Sequence, residues 1–302
     1  MLRIQAVQPD NQARFVRYAA EHGSEHDDSY LPGSGFESSP EHPAYLLFRD
    51  DVVIGAASLM RTPRYLQVGR SRFSIFHSTD PSVHAYSLLF GAIRRHFDGL
   101  RSVYLFLPES RVAAADAVRR LGFSVERYSF IMVLRDLNQK GLTVPEGYAL
   151  QPIRPTDEHL YRGFAREINA NFDTLAGHLP MPDDGLREWF TDETYLEDGI
   201  VLLLHGDTPI GTVCVMNEYE DRKAADISAL SVAKAHRRKG LGRLLLKHAV
   251  CFAAWRGLQP VFLSLNAEND RALQLYRSEG FIVTVKVTCF SRDCERASSA
   301  SP

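Results

Sequence analysis

A chain of 302 residues with 45% hydrophobic content can bury one large core or two of about 150 residues each. Thirty-five basic residues against 37 acidic ones exclude a whole-chain field directed at nucleic acid or an anionic membrane surface, so any anion site must be local. No apolar run approaches the roughly 20 residues that span a bilayer, and MLRIQAVQPDNQ lacks a signal-peptide core, so the expected location is the cytoplasm. Cys214, Cys251, Cys289 and Cys294 form no CxxC pair and no ligand spacing with histidines, and read as reduced, buried thiols.

In chain order, the first segment that suggests chemistry is EHGSEHDDSY, with His22, Glu25, His26, Asp27 and Asp28. Gly23 interrupts the helix that HxxxH spacing requires, so a polar loop and no metal site are expected. YLLFRDDVVIGAASL follows as a hairpin turning at Asp50 and Asp51. Then come a strand FSIFHS, a connection TDPSVHA, a helix YSLLFGAIRRHF, and a helical AADAVRRLGF that runs into alternating SVERYSFIMVL. Residues 137–155, LNQKGLTVPEGYALQPIRP, concentrate turn-formers, with Pro145, Gly147, Pro152 and Pro155, and mark a linker.

Beyond it the pattern predicts a helix over 157–171, a short helix over 183–191, and a hairpin IVLLLHGDTPIGTVCVM turning at Gly206 and Asp207. A strand AADISALSV, a long helix from Gly240, a strand PVFLSLN, a helix NDRALQLYRSEG and a final strand complete the chain. The long helix carries Leu241, Leu244, Leu245, Ala249 and Phe252 on one face, and its flanking strands straddle it as a βαβ unit. Each half closes a helix with Gly-Phe, at Gly122 and Gly280, before β-type alternation. Two copies of one α+β unit are therefore expected: a domain over 1–140, a linker over 141–147, a domain over 148–294 and a flexible tail over 295–302.

Between strand and long helix the sequence reads AHRRKGLGRLLLKHA. A helix N-terminus exposes unpaired N–H groups and positive dipole, and glycines let an anion approach the backbone closely. The GxxxxGK[ST] pattern is absent and Gly240-Leu-Gly242 lacks a third glycine, which excludes the P-loop and the dinucleotide fingerprint. Taken alone, the string also fits a glycine-assisted turn with a solvated basic face.

Two ordered motifs, ALSVAKAHRRKGLG and LNAENDRALQLYRSEGF, resemble the GNAT superfamily of acyl-CoA-dependent N-acetyltransferases over roughly residues 147–293, in a tandem two-domain form. The resemblance implies an α+β fold of two GNAT-like domains, each a mixed twisted sheet flanked by helices, with acetyl-CoA as co-substrate. It implies that Arg237, Arg238, Lys239, Gly240, Leu241, Gly242 and Arg243 hold the pyrophosphate. Leu230 and Val232 would bond the pantetheine arm through their main chain, with Asn266 and Asn269 beside it, and the Val232 N–H would donate to the thioester oxygen. Tyr276 matches the tyrosine that protonates the departing thiolate; by itself it also reads as a buried tyrosine packed on Leu273. A lysine-like amine is mostly protonated at neutral pH, so a carboxylate base is needed. Asp226 is the candidate, acting through water because it is one methylene shorter than the glutamate often found there, and Glu218 is the reserve; Asp226 also reads as a polar residue on a strand face. The first copy lacks these features: TDPSVHA has neither glycine nor arginine, and counting back from the shared Gly-Phe puts Val118 at the place of Tyr276 and Pro108 at that of Asn266. That copy is expected to be non-catalytic.

Seven acidic residues, Asp183, Asp184, Glu188, Asp192, Glu193, Glu197 and Asp198, stand on the segment that borders the acceptor entrance in this fold. They predict a primary amine on a cationic small molecule or peptide as acceptor, taken by a monomer or homodimer. The alternative is a non-catalytic acyl-CoA-binding or regulatory protein.

Overall fold

The computed structural model describes residues 1–26, 30–137, 141–175, 177–218 and 223–294. The predicted hairpins form β2 (Ala44–Arg49) with β3 (Val52–Met60), and β8 (Ile200–His205) with β9 (Thr208–Asn217). Asp50 (φ 54°) and Gly206 (φ 56°) take the left-handed conformation that such tight turns impose.

The chain divides into two compact units, Phe130–Thr284 and a first unit made of Met1–Ser129 with the segment from Val285 onward. In the first, β1 (Leu2–Ala6), β2, β3, β4 (Arg70–Ser78) and β5 (Ser102–Pro108) are neighbours in that order, antiparallel except for β4 with β5. The parallel step crosses over through α3 (Val83–Ile93). One sheet face packs on α3 and α4 (Val112–Arg120) around Phe73, Phe76, Tyr86 and Phe123; the other packs on α1 (Gln12–His22) around Phe15, Tyr18 and Phe48. A short α2 (Pro63–Gln67) connects β3 to β4.

The second unit orders β7 (Tyr148–Pro152), β8, β9, β10 (Ala225–Val232) and β11 (Val261–Asn266), with β10 parallel to β11 across α7 (Leu241–Trp255). α7 and α8 (Asp270–Ser278) cover one face around Leu245, Ala249 and Phe281, while α5 (Glu158–Phe172) and α6 (Leu186–Thr191) cover the other around Phe164 and Leu186. α6 starts three residues later than predicted because Pro182 and Gly185 close a turn, Gly185 N–H donating to Pro182 O at 3.0 Å.

The unit boundaries differ from those expected at 140 and 148. They fall inside β6 (Ser124–Leu134) and β12 (Ile282–Asp293). Met132 and Leu134 of β6 lie in the second unit's core, whereas residues 287–293 of β12 pair antiparallel with β5 and seat Phe290 in the first unit's core. Composition around Pro145 marks a surface connection, but strand pairing decides which core a residue joins. The tail over 295–302 lies outside the described residues. Cys214 and Cys289 are buried as expected; Cys251 and Cys294 are half-buried, and all four are free thiols. No helix among the described residues is long and apolar enough to cross a membrane.

The segment at His22 departs from the predicted loop. α1 runs through His22 and continues as a 3₁₀ turn over Gly23–Glu25, with Gly23 at helical φ −59°. A Cβ on Gly23 would meet Leu31 Cδ1 at 2.1 Å, so the glycine answers close packing rather than breaking the helix. Asp27 and Asp28 lie outside the described residues.

Phe290→Ala is expected to cost about 3–5 kcal/mol, the usual penalty for emptying a buried phenylalanine site. Hydrogen exchange should show protection falling in β5, which is in the first unit, more than in β9, although the mutation lies near the chain's end.

Candidate active site

The site is built on a break in the second unit's sheet. Among the described residues, the parallel ladder between β10 and β11 covers Ala225↔Val261, Asp226↔Phe262 and Ile227↔Leu263. Past Ile227 a β-bulge intervenes: Ala229 takes φ 51° and the register against β9 shifts between Ser228 and Ser231. An extra residue bends a strand and re-aims the residues beyond it. The Thr212 hydroxyl donates to Ala229 O at 2.6 Å and meets Ser231 Oγ at 2.8 Å, fixing the bulge from the neighbouring strand. Gly211 lies opposite Val232, where a Cβ would sit 2.6 Å from Ser231 O. Leu230 and Val232 thus follow the bend, beyond the stretch paired with β11.

The chain leaves β10 through a 3₁₀ turn over Lys234–His236 and reaches α7 by way of Arg238 (φ 65°) and Gly240 (φ 79°). Left-handed residues in such a turn let successive N–H groups converge. Gly240 provides the α7 N-cap with no side-chain hydrogen bond, so the first amides of the helix are not covered by a side chain. Arg237 Nε donates to Val232 O at 2.9 Å, and Arg243 binds Glu279 at 2.7 Å and Ser278 Oγ at 3.0 Å. Those two arginines brace the turn, while Arg238 and Lys239 are exposed.

The equivalent place in the first unit is closed. Ser82 caps α3, its Oγ accepting from Ala85 N at 3.2 Å, and Asp80 Oδ1 accepts from Ser82 N at 2.9 Å. Those bonds and Arg49 hold the Asp80 carboxyl below its ordinary range. A carboxylate of the chain itself thus takes the amide that immediately precedes α3.

Burial, and after it the Glu218 charge, push the Asp226 carboxyl up to about 7. Asp226 pairs with Met216 and so shares the sheet face packed by α5 and α6. Glu218 follows β9, its N–H donating to Ala224 O at 2.9 Å. Tyr276, on α8, belongs to the cluster of the opposite face with Val232 and Leu241; it is 7% exposed, and burial pushes its hydroxyl up to about 12. The two groups therefore approach the sheet from different sides. Asn266 ends β11, its carbonyl accepting from Asn269 N at 3.0 Å. The Asn269 side chain caps α8 through Ala272 N at 3.2 Å, which gives it a structural role that the motif did not reveal.

A polar network beside the bulge was not foreseeable from the motifs. Asn171 Nδ2 donates to Ser231 Oγ at 3.1 Å and to Glu167 at 3.3 Å, and burial raises the Glu167 carboxyl. The available signal was a polar Asn171 continuing the inward stripe of Phe164 and Ile168 along α5. In the acidic segment, Asp183 pairs with Arg162 at 2.9 Å, Asp198 with Arg154 at 2.8 Å, and Asp192 accepts from Thr194 N at 2.8 Å. Arg162, Arg166, Asn169, Ala170 and Asp183 line an open cleft of about 700 Å³ beside α5, so its wall carries both signs of charge.

A mixed sheet with a short parallel pair followed by a turn and a helix is the framework of both units, and in the second the turn is basic and headed by glycine. Within the second unit, residues 163–281 match the Acetyltransferase (GNAT) family, and the chain as a whole has the fold of tandem GNAT proteins. Over 198 residues the chain is 27% identical to the mycothiol acetyltransferase of Pseudarthrobacter chlorophenolicus, covering 62% of this chain and 58% of that protein. Over 55 residues it is 42% identical to the streptothricin acetyltransferase of Streptomyces lavendulae, covering 18% and 29%. It thus spans less than two thirds of either relative. A tandem GNAT protein from the clavulanic acid biosynthesis pathway superposes with a TM-score of 0.73 at 14% identity, covering 97% of this chain and 98% of that one, a likeness of fold.

Proposed function

We propose that the chain is an acetyl-CoA-dependent N-acetyltransferase whose second unit moves an acetyl group to a primary amine. The observation that carries this reading is the open N-terminus of α7: headed by left-handed Gly240, flanked by exposed Arg238 and Lys239, and placed directly after the splayed end of β10. Acetyl-CoA supplies the activated acyl thioester. The amides of residues 238–243 hold its pyrophosphate, with charge added by Arg238 and Lys239. Leu230 and Val232 offer main-chain bonds to the pantetheine arm, and Val232 N–H polarises the thioester carbonyl.

Asp226 takes the amine proton, through water because its side chain is short. A group titrating near 7 is matched to proton transfer at neutral pH. As the C–N bond forms and the C–S bond breaks, Tyr276 gives its proton to the departing sulfur; burial keeps its hydroxyl protonated until then. Asn171, Glu167 and Ser231 line the same side of the bulge as Asp226 and position the acceptor. The acidic segment supports an acceptor with positive charge beyond the reacting amine. Asp184, Glu188, Asp192, Glu193 and Glu197 supply that field, since arginines already offset Asp183 and Asp198.

Calorimetry with coenzyme A is expected to show one site per chain, lost in Gly240→Val, where a β-branched residue cannot adopt φ 79°, and unchanged in Asp80→Ala. Two equivalent sites would assign a cofactor to each unit. Thiol release from acetyl-CoA with an amine panel separates catalysis from cofactor binding alone.

Because a base works only when deprotonated, turnover is expected to rise as pH increases through about 7, and Asp226→Asn should remove that acid limb. Tyr276→Phe should lower kcat with little change in cofactor affinity. A pH profile unchanged by Asp226→Asn would transfer the base role to Glu218 or water.

For a cationic acceptor, KM should rise with salt, since exposed charges are screened over about 8 Å at physiological ionic strength. A salt-independent KM would make the acidic segment a solvated face only.

A further inference from the structure

His22, Glu25 and His77 meet inside the first unit, although His77 lies 52 positions beyond Glu25. His22 Nδ1 lies 2.9 Å from Glu25 Oε1, His77 Nε2 lies 3.5 Å from Glu25 Oε2, and one ligand atom from each residue lies within 4.8 Å of the others. The helical turn over Gly23–Glu25 puts His22 and Glu25 on one side at i, i+3, and the two imidazole rings stack at 4.9 Å. His77 is only 1% exposed on β4.

The surroundings of His77 are those that orient a ligand. The Tyr18 hydroxyl donates to Ile54 O at 3.0 Å and lies 2.9 Å from His77 Nδ1. That carbonyl also accepts from Thr79 N–H at 2.9 Å and Ser78 Oγ at 3.0 Å; when Tyr18 gives its proton to it, the Tyr18 oxygen takes the Nδ1 proton and the Nε2 lone pair faces Glu25. Arg111 supports the same tautomer: a guanidinium only donates, and its Nη2 lies 3.4 Å from His77 Nε2. A metal-ligating histidine characteristically fixes its other nitrogen in this way.

We propose that His22 Nδ1, the Glu25 carboxylate and His77 Nε2 form a binding site for a divalent transition ion of the zinc type, distinct from the acetyl-transfer site of the second unit. Two imidazoles and one carboxylate suit such an ion and leave a fourth position for water. At bond lengths near 2.1 Å, tetrahedral ligand atoms stand about 3.4 Å apart, so an ion would draw together three atoms that now lie within 4.8 Å of one another. On binding, His22 releases the Nδ1 proton that it shares with Glu25, which shifts to its other ring nitrogen. Arg111, paired with Glu25 and one-third exposed, now supplies the positive charge there and swings out when the ion replaces it. The ion would staple the end of α1 to β4, the seam that Asn171 and Ser231 close in the second unit.

The test is titration of the untagged, chelator-stripped full chain with zinc, followed by calorimetry and by the visible d–d band of added cobalt. One equivalent is expected to bind saturably. Because the chain has eleven histidines, the decisive comparison is with His22→Ala and Glu25→Gln, both partly exposed positions whose folding is checked by circular dichroism. Each should weaken binding by at least about tenfold, the size of effect that losing even a supporting partner of a ligand has. Arg111→Ala should tighten it by removing the competing cation. The absence of saturable binding to the unsubstituted chain, or an affinity that both ligand variants leave unchanged, overturns the site.

Discussion

The second unit depends on one local event, the extra residue at Ala229. Up to Ile227 the strand is an ordinary member of a parallel pair, with its backbone groups satisfied by β11. The bulge ends that pairing while the antiparallel ladder to β9 resumes at Ser231, so one edge of β10 is released and the other held. Holding it requires Thr212, whose hydroxyl reaches the bulged carbonyl, and Gly211, whose missing Cβ lets the strands pinch. The proposed roles of Leu230 and Val232 rest on main-chain groups that only this break makes available.

The two units show how little sequence separates an open anion cradle from a closed one. Both follow a strand with a turn and a helix, and in both the parallel ladder is short, covering in the first unit Arg70↔Ser102, Ser71↔Val103 and Arg72↔Tyr104. The framework for splaying is thus shared. The difference lies at the helix start: Ser82 Oγ takes the Ala85 amide of α3 and Asp80 the Ser82 amide just before it, whereas Gly240 gives α7 no side-chain cap. An N-terminal amide group is bound by whichever acceptor is nearest, and a covalently attached one has the advantage of proximity.

Burial acts in the same direction on both proposed proton-transfer groups, and with opposite chemical effect. Removing water disfavours the charged form, which brings the Asp226 carboxyl toward neutrality, where it can both take and release a proton, and keeps the Tyr276 hydroxyl protonated. Asp226 lies on the face of α5 and Tyr276 on that of α7 and α8, so a thioester lying along the split of β10 would meet one from each side.

By itself the sequence determined the repeated α+β unit, the hairpins at Asp50 and Gly206, the long helix begun by Gly240 and the motifs around Tyr276, because periodicity, turn chemistry and glycine placement are local properties of the chain. Tertiary structure decided the rest. Residues 287–293 joined the first unit because strand pairing with β5, not proximity along the chain, sets core membership. Asn171 reaches Ser231, 60 positions further on, through a contact that no spacing encodes. His22 and Glu25 fall beside His77 because α1 packs across β4, and the glycine between them serves Leu31 rather than a loop. Distances between side chains far apart in sequence follow from packing of whole faces, which a linear pattern specifies only as a stripe.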